Sequence, residues 1–314
     1  MQNEVETSKA APASMHSAAP AMSQNVRGIL AMLASMAAFV TNDTCVKLAS
    51  ASLPIGEIIT LRNGAATVYL ALFALAFGGL TLPQNAPVRL LGTRMLGEIV
   101  STLLFLVALV SLPLADMTAI AQFTPLALTA AAAVFLNEPV GWRRWLATLA
   151  GLIGVGFIVR PGSTAFSPAG AMVLASIAFV VLRDLATRLI SASVPTLTLT
   201  LMSAASGIIA GLILAPFEAW QYPDLPQTGL LAFAGLFLAF GYALIIIALR
   251  SGDVGIVSPF RYAVILFALA SSYLVWGHTP DTLALLGIAI VCAAGLYTVH
   301  RERKRQTSPA HQNV

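Results

Sequence analysis

Apolar residues fill long stretches of this 314-residue chain, and short polar segments rich in proline and glycine separate them. Each apolar stretch has about 20 residues, enough for a helix that crosses a hydrocarbon core of roughly 30 Å. The pattern therefore predicts ten transmembrane helices. We expect them near residues 28–50, 54–79, 90–112, 115–136, 143–160, 168–190, 194–216, 227–250, 253–276 and 280–300.

One of these spans recurs later in the chain. Residues 34–54 return as residues 175–195, and eight of the 21 aligned positions are identical. Asp43 corresponds to Asp184, and a basic residue follows each aspartate four positions later. Because charged residues are expensive in a bilayer, their recurrence indicates a duplication. The copies lie in the first and sixth predicted spans, an offset of five, so the second copy should have the opposite orientation in the membrane.

The predicted fold class is therefore an all-α membrane protein with ten transmembrane helices arranged as two inverted five-helix repeats. We expect a disordered cytoplasmic tail over residues 1–26 and a basic cytoplasmic tail over residues 301–314. The first repeat should cover residues 27–162 and the second residues 163–300. The N-terminal tail has no apolar core segment, so we do not expect a cleavable signal peptide.

Composition and charge support a membrane protein. Hydrophobic residues make up 58% of the chain and charged residues 10%, and the mean hydropathy is +0.86. The formal net charge is +4, but the cations are scattered between apolar runs, which argues against nucleic-acid binding. With a cytoplasmic N-terminus, eleven lysines and arginines fall on the cytoplasmic side and only Arg160 falls outside. This bias predicts a bacterial inner-membrane protein with both termini cytoplasmic.

Several charged residues lie inside the predicted spans, where each costs at least ~2.5 kcal/mol near the bilayer centre. We therefore expect them to face a cavity or one another. A spacing of four residues puts two side chains on one helix face, so pairs with this spacing could neutralise each other locally. Three acid–base pairs have it: Asp43 and Lys47, Arg94 and Glu98, and Asp184 and Arg188. For Lys47 and Arg188, near span ends, helix packing or snorkelling is an equal alternative.

Candidate site residues follow from these charges. An arginine offers five fixed donors that suit a carboxylate or a phosphate. Proline inside a span loosens the helix and can act as a hinge, although a packing kink is an equal alternative. The candidate substrate-binding residues are Arg62, Arg94, Glu98, Gln122, Arg183, Asp184, Arg261 and Tyr262. The candidate coupling or gating residues are Asp43, Lys47, Pro125 and Pro259.

Two segments carry a family resemblance. Residues 258–303, with the motif Pro-Phe-Arg-Tyr at 259–262, resemble the closing helices of EamA-domain proteins in the drug/metabolite transporter superfamily. The Asn-Glu-Pro sequence at 137–139 resembles the turn after the fourth helix of that family, whereas His278 stands where the second such turn usually has glutamate. The resemblance covers about residues 27–303. It implies two inverted five-helix halves around a central substrate path.

Enzymatic functions fit the sequence poorly. No histidine lies in the interior of a predicted span, since His300 is at the boundary of the tenth, and the HExxH, GxSxG and GxxxxGK[ST] motifs are absent. We therefore expect no enzyme and no ATP-driven pump. We expect no cofactor and no metal, because the two cysteines lie in apolar spans without zinc spacing. A channel would also line a pore with charges, but it should contain a repeated ring or filter segment, and none is present.

The sequence thus predicts a secondary-active transporter that moves a small organic metabolite through a lipid bilayer by alternating access. The family resemblance favours uptake of a vitamin- or nucleoside-like metabolite of the riboflavin or S-adenosylmethionine type. Export of amino acids or toxic metabolites is the alternative. Coupling to protons through Asp43, Glu98 or Asp184 is a further hypothesis, because a protonated carboxyl group is less costly than a carboxylate at low dielectric. The oligomeric state stays open.

Overall fold

A computed structural model of the chain describes residues 21–78, 87–135, 142–160, 163, 165–190, 194–251 and 257–306, and all regular structure in these ranges is helical. Two short 3₁₀ segments cover Ala215–Phe217 and Ser258–Tyr262. The α-helices are α1 (Ala21–Ala49), α2 (Ile55–Phe77), α3 (Val88–Ser111), α4 (Leu114–Ala121), α5 (Thr124–Phe135), α6 (Trp142–Ile158), α7 (Pro168–Leu189), α8 (Thr196–Leu214), α9 (Leu225–Ser251), α10 (Ala263–Trp276) and α11 (Thr282–Gln306).

Seven helical stretches among the described residues are long and apolar enough to cross a membrane. They are Gln24–Ala49, Ile55–Phe77, Val88–Ser111, Leu114–Phe135, Pro168–Thr187, Leu197–Phe217 and Leu225–Ile245. Three shorter apolar helices are Trp145–Ile158, Phe260–Trp276 and Thr282–Tyr297, where the sequence predicts the fifth, ninth and tenth spans. The prediction of an all-α membrane protein is confirmed, and the number of ten spans stays a prediction.

Two predicted spans are interrupted near a proline. The fourth predicted span is split into α4 and α5 by a turn at residues 122–123, and Pro125 lies in the first turn of α5. In the described part of the ninth predicted span, from residue 257 onward, the 3₁₀ segment Ser258–Tyr262 contains Pro259 in its first turn and is followed by α10. Proline fixes its own backbone angle and has no N–H to donate, so an uninterrupted α-helix is unfavourable at both positions.

Helix contacts are paired between the two halves of the chain. The contact of α1 with α9 corresponds to that of α7 with α3, and the contact of α2 with α9 corresponds to that of α8 with α3. Likewise, the contact of α1 with α10 corresponds to that of α7 with α5. Three further contacts each join two equivalent helices: α2 with α8, α6 with α11, and α4 with α10. The pattern is therefore preserved when the first five predicted spans are exchanged with the last five.

The two copies of the sequence repeat end at opposite ends of α3. Near the end of α1, the amino group of Lys47 donates to the backbone carbonyls of Leu109 (2.6 Å) and Leu112 (2.5 Å), where α3 ends. Near the end of α7, the Thr187 hydroxyl accepts a hydrogen bond from Arg94, close to the start of α3 (3.1 Å). Since α1 and α7 reach opposite ends of one helix, they run in opposite directions.

Many contacts close the end of the bundle that holds Lys47, called here the Lys47 end. The Glu218 carboxylate accepts from the backbone N–H of Gly56 (2.9 Å), and Glu57 accepts from that of Gln221 (3.0 Å). Arg160 and Asp281 form an ion pair at 2.6 Å in the same region. The backbone N–H of Ala284, and then Arg160, lower the pKa of Asp281. These contacts join the first half of the chain to the second.

The helices α6 and α11 meet with their backbones in contact. A Cβ atom added to Gly287 would lie 2.5 Å from the carbonyl oxygen of Gly154, and one added to Gly154 would lie 2.9 Å from that of Gly287. Glycine at such a crossing lets two helices approach closely within a membrane. Any larger residue at either position would push the two helices apart.

Candidate functional site

A cavity of about 180 Å³ lies between α1, α2, α3, α7 and α9 and is called here the central cavity. Its polar wall includes Asn42 and Asp43 from α1, Arg62 from α2, Glu98 from α3 and Arg183 from α7. Arg62 and Glu98 are buried, with 5% and 6% of their surface exposed. Charged groups from both halves of the chain therefore surround one small space within the membrane-spanning helices.

On the first-half side of the cavity, a neutral amide lies between the carboxylate and the arginine. Asn42 donates a hydrogen bond from Nδ2 to Oδ1 of Asp43 (2.8 Å), and its Oδ1 accepts one from Nη1 of Arg62 (3.3 Å). Arg62 is also within electrostatic range of Asp43, Glu98 and Tyr242. Its Nε has no hydrogen-bond partner among the described residues. This buried N–H is available to an acceptor on a ligand.

On the second-half side, the carboxylates are paired directly with an arginine. Arg183 donates from Nε to Oδ1 of Asp184 (2.8 Å) and from Nη1 to Oε2 of Glu98 (3.4 Å). Ser203 donates to the same oxygen of Glu98 (3.0 Å). Glu98 on α3 is thus held by groups from α7 and α8.

Arg94 extends this network toward the end of α7. Its Nε donates to Thr187 (3.1 Å) and its Nη2 donates to Ser203 (2.9 Å). Ser203 therefore bridges Arg94 to Glu98. The Nη1 atom of Arg94 is buried and has no hydrogen-bond partner among the described residues. Two arginines near the cavity, Arg62 and Arg94, thus each keep a buried donor that a carboxylate, phosphate or carbonyl oxygen can satisfy.

Two of the three predicted pairs at a spacing of four residues are wrong, and the pair of Asp184 with Arg188 stays a prediction. Lys47 hydrogen bonds to backbone carbonyls and lies 5.8 Å from the centre of the Trp276 ring, and Arg94 reaches Glu98 only through a serine. Asp184 pairs with the residue directly before it, and the side chain of Arg188 lies outside the described residues. The spacing rule applies to an exposed helix, whereas packed helices offer closer partners on their neighbours.

The remaining predicted site residues lie away from the wall of the central cavity. Gln122 is buried in the turn between α4 and α5. Arg261 is exposed on the 3₁₀ segment and within electrostatic range of Asp184 and Arg183. Tyr262 is buried with its ring directly against Gly295, where a Cβ atom would overlap the tyrosine hydroxyl. The predicted turn at residues 137–139 lies outside the described residues.

The sequence-based list of site residues omits Ser203, Thr187 and Asn42. Serine and threonine in a transmembrane helix often bond their own backbone, so they give a weak signal. A usable signal existed for Ser203, because it stands 141 residues after Arg62, the offset that relates Asp184 to Asp43. Asn42 and Arg183, each directly before a repeated aspartate, occupy equivalent positions as well.

The EamA-like transporter family matches the chain twice, over residues 26–160 and over residues 167–299. The chain belongs to the EamA-like transporter family. The matches cover nearly all of the predicted spans, and the family is one of transporters, as the sequence predicts. The protein is therefore a multi-pass membrane transporter.

Curated relatives have transport functions of more than one kind. The chain is 26% identical to an S-adenosylmethionine uptake transporter of Rickettsia bellii over 281 residues, which cover 88% of this chain and 94% of the relative. It is 29% identical to a pseudopaline exporter of Pseudomonas aeruginosa over 274 residues, 85% of this chain and 94% of the relative. It is 27% identical to a riboflavin transporter of Rhizobium johnstonii over 204 residues, 64% and 67% of the two chains.

A solved crystal structure has a similar fold. It matches with a TM-score of 0.60 and 19% sequence identity, and the match covers 89% of this chain and 99% of that one. At this identity, the likeness concerns the fold alone.

Proposed function

We propose that the protein is a secondary-active carrier of the bacterial inner membrane that moves a small organic metabolite by alternating access. The observation that carries this proposal is the central cavity, around which buried charges from both halves meet. Intramembrane charges are costly and are retained where they serve a transport path or bind a substrate. Both termini are cytoplasmic in this proposal, in line with the distribution of lysines and arginines.

The carrier in this proposal consists of two inverted five-helix repeats, over residues 27–162 and 163–300. Support comes from the double family match, from the paired helix contacts and from the opposite directions of α1 and α7. Inverted repeats that enclose a site near the bilayer midplane are a common design of secondary transporters. Rocking of one half against the other would expose the cavity to each side in turn.

Cysteine labelling tests the inversion. Ser52 and Ser193 are equivalent in the repeat, and each is replaced by cysteine in a background in which Cys45 and Cys292 are alanine. A membrane-impermeant maleimide should label S52C in intact spheroplasts and S193C only in inside-out vesicles. Labelling of both cysteines from the same side would contradict the inverted arrangement.

The proposed substrate-binding residues are Arg62, Glu98 and Arg183, which line the cavity, together with Arg94 and Asp184, which hydrogen bonds connect to them. Gln122, Arg261 and Tyr262 stay as further candidates that would need a movement of their helices. Uptake of a vitamin- or nucleoside-like metabolite is the favoured direction, supported by the relatives that transport S-adenosylmethionine and riboflavin. Export is the second candidate, favoured by the 29% identity to the pseudopaline exporter.

Transport into proteoliposomes tests the carrier function. Labelled S-adenosylmethionine and riboflavin are the probes, and a carrier gives slow, saturable uptake of at least one of them. Arg62→Gln should lower kcat/KM about 10- to 100-fold, because a hydrogen bond to a charged group contributes about 1.5–3 kcal/mol. Arg89→Gln, at an exposed arginine near the start of α3, is the matched control. Open-pore currents in planar bilayers would contradict the carrier and indicate a channel.

Proton coupling through Asp43, Glu98 or Asp184 is part of the proposal. Collapse of the proton gradient with a protonophore should abolish accumulation of substrate against its gradient. If accumulation is unchanged in the collapsed state, the carrier uses another driving ion or exchanges substrates.

A further inference from the structure

A second cavity, of about 690 Å³, lies beside the central one, and we call it the lateral cleft. It lies between the C-terminal half of α2, the N-terminal half of α8 and the C-terminal half of α9. Tyr69 and Phe73 of α2, Leu197 of α8, and Phe240 and Ala243 of α9 are among its lining residues. Phe73 and Phe240 are 48% and 50% exposed, so the cleft opens at the side of the helix bundle.

The lateral cleft and the central cavity share a wall on α9. Leu238 and Tyr242 line the central cavity, whereas Ala239 and Ala243, the next residue in each case, line the cleft. One cluster of packed side chains contains Leu238 and Tyr242 from the cavity together with Leu70 and Ala239 from the cleft. A single layer of side chains therefore separates the charged space from the apolar one.

The shared wall includes two small residues and two aromatic rings. Ala239 and Ala243 are small, and the larger members are the aromatic pair Phe39 and Tyr242, whose ring centres lie 5.5 Å apart in an edge-to-face contact. Phe39 lies directly over Gly241, where a Cβ atom would be 2.8 Å from its ring. These two rings are therefore the bulkiest side chains of the wall.

Size decides how the two spaces are used. Sites for metabolite- or drug-sized ligands have volumes of roughly 300–1,000 Å³. The central cavity, at about 180 Å³, is too small for a nucleoside- or vitamin-like metabolite, but it fits a charged group such as a carboxylate. The lateral cleft provides the missing volume, with an apolar and aromatic lining that suits a planar ring.

We propose that the lateral cleft binds the apolar, ring-containing part of the transported metabolite while the central cavity binds its polar or charged end. This inference rests on the proposed carrier function and defines its substrates as amphipathic molecules with a polar or ionic end and a planar ring system. Phe39 and Tyr242 act as the partition between the two subsites, and their rotation accompanies substrate binding.

Filling the cleft tests the assignment. Ala243→Trp places an indole in the cleft, and Leu75→Trp places the same side chain on a residue of α2 that is 80% exposed and does not line the cleft. The full-length protein in proteoliposomes is assayed with labelled S-adenosylmethionine and riboflavin. For the probe that the unmodified protein transports, Ala243→Trp should raise KM at least 10-fold, and Leu75→Trp should leave KM within twofold.

A second variant covers the case in which Ala243→Trp fails to fold. Phe240→Ala removes one aromatic wall of the cleft and should raise KM about three- to tenfold, with a melting temperature near that of the unmodified protein. The KM is the deciding quantity, because a structural defect or the loss of a bound lipid chain lowers kcat and leaves the substrate affinity unchanged.

The outcomes separate this inference from the proposed function. Unchanged KM in both cleft variants, with transport by the unmodified protein intact, overturns the cleft subsite and leaves the carrier function standing. A fall in kcat alone also overturns it, because the cleft then contributes nothing to substrate affinity. Absence of transport of either probe by the unmodified protein overturns the proposed substrate class, and the cleft assignment with it.

Discussion

Asp43 and Asp184 occupy equivalent positions of a repeated sequence, yet they have different surroundings. In the first half, Asp43 accepts from the neutral amide of Asn42, which in turn accepts from Arg62. In the second half, Asp184 forms an ion pair with Arg183, the residue equivalent to Asn42. In both copies the residue before the aspartate donates to it at 2.8 Å, so the geometry has been kept while the charge has changed.

The difference assigns separate tasks to the two carboxylates. Asp184 has a directly bonded counter-charge, and Arg183 also reaches Glu98. The uncharged amide of Asn42 lies between Asp43 and Arg62 and is hydrogen bonded to both. We therefore propose that Asp43 is the carboxylate that an incoming cationic group or a coupling proton neutralises, and that Asp184 holds α7 against α3 through Arg183.

The largest effect is expected when Arg183 is replaced by asparagine, the residue at the equivalent position of the first half. Arg183→Asn leaves Glu98 and Asp184 without their ion-pair partner, and removal of one partner of a buried pair costs about 3–5 kcal/mol. Because a quarter of the Arg183 side chain is exposed, we expect the lower end of that range. Transport in proteoliposomes should fall at least 100-fold, and the melting temperature should fall as well.

A double variant identifies the cause of this loss. Arg183→Asn combined with Asp184→Asn removes a surplus negative charge, so it should recover part of the melting temperature but no transport. Arg89→Asn, which removes an exposed arginine, is the control for general loss of positive charge. Transport above one tenth of the unmodified rate in the single variant would contradict the importance given to this ion pair.

The sequence predicts the charges of this site well and their partners poorly. The repeat alone identifies Asp43 and Asp184, because the cost of an intramembrane charge makes its recurrence informative. It does not predict that Ser203 joins Arg94 to Glu98, since these residues lie on separate helices and the contact between Arg94 and Ser203 spans 109 positions. Such partners depend on how distant helices pack, and residue spacing within one helix carries no information about that.

The fold shows the same limit. Hydropathy predicts where apolar spans begin and end, and the described helices agree with most of those positions. It does not predict that the fourth span divides at residues 122–123, because the apolar pattern continues through the break. Pro125 gave the local signal, but a proline within a span produces a kink in one context and a complete break in another.

A smaller effect should distinguish the two aspartates directly. Asp43→Asn should lower transport about 10- to 100-fold with little change in melting temperature, because its carboxylate has only a neutral hydrogen-bond donor to lose. Asp184→Asn should instead lower the melting temperature and retain more transport, since Arg183 still reaches Glu98. A thermal-shift assay together with uptake kinetics measures both quantities. Equal losses of transport and equal melting temperatures in the two variants would contradict separate roles for the two aspartates.

A moderate effect is expected at Lys47, which follows Asp43 by one helical turn. Lys47→Met keeps the apolar stem but removes the hydrogen bonds to Leu109 and Leu112, so the Lys47 end should open more readily. We expect a three- to tenfold change in transport and faster maleimide labelling of L53C, because Leu53 is buried at this end. Lys47→Arg, which keeps a positive donor, is the control. Unchanged labelling would contradict a closing role for this lysine.

The smallest effect is expected at the ion pair between Arg160 of the first half and Asp281 of the second. The pKa of Asp281 is lowered, so its charge stabilises the folded protein above the usual aspartate pKa, and this stabilisation is lost as the pH falls through the lowered value. Because the pair is solvent-accessible, Asp281→Asn should shift the melting temperature by less than about 2 °C at neutral pH. At acidic pH the two proteins should melt alike; a persistent difference would contradict an electrostatic origin.

The contact between Gly154 and Gly287 has a consequence for motion. Two helices whose main chains touch cannot slide past each other without a steric clash at the crossing, but they can change their crossing angle about the contact point. Since α6 comes from one half and α11 from the other, we expect this crossing to stay fixed while the remaining helices swing. An alanine at either glycine would then slow the conformational cycle even though it lies outside the substrate path.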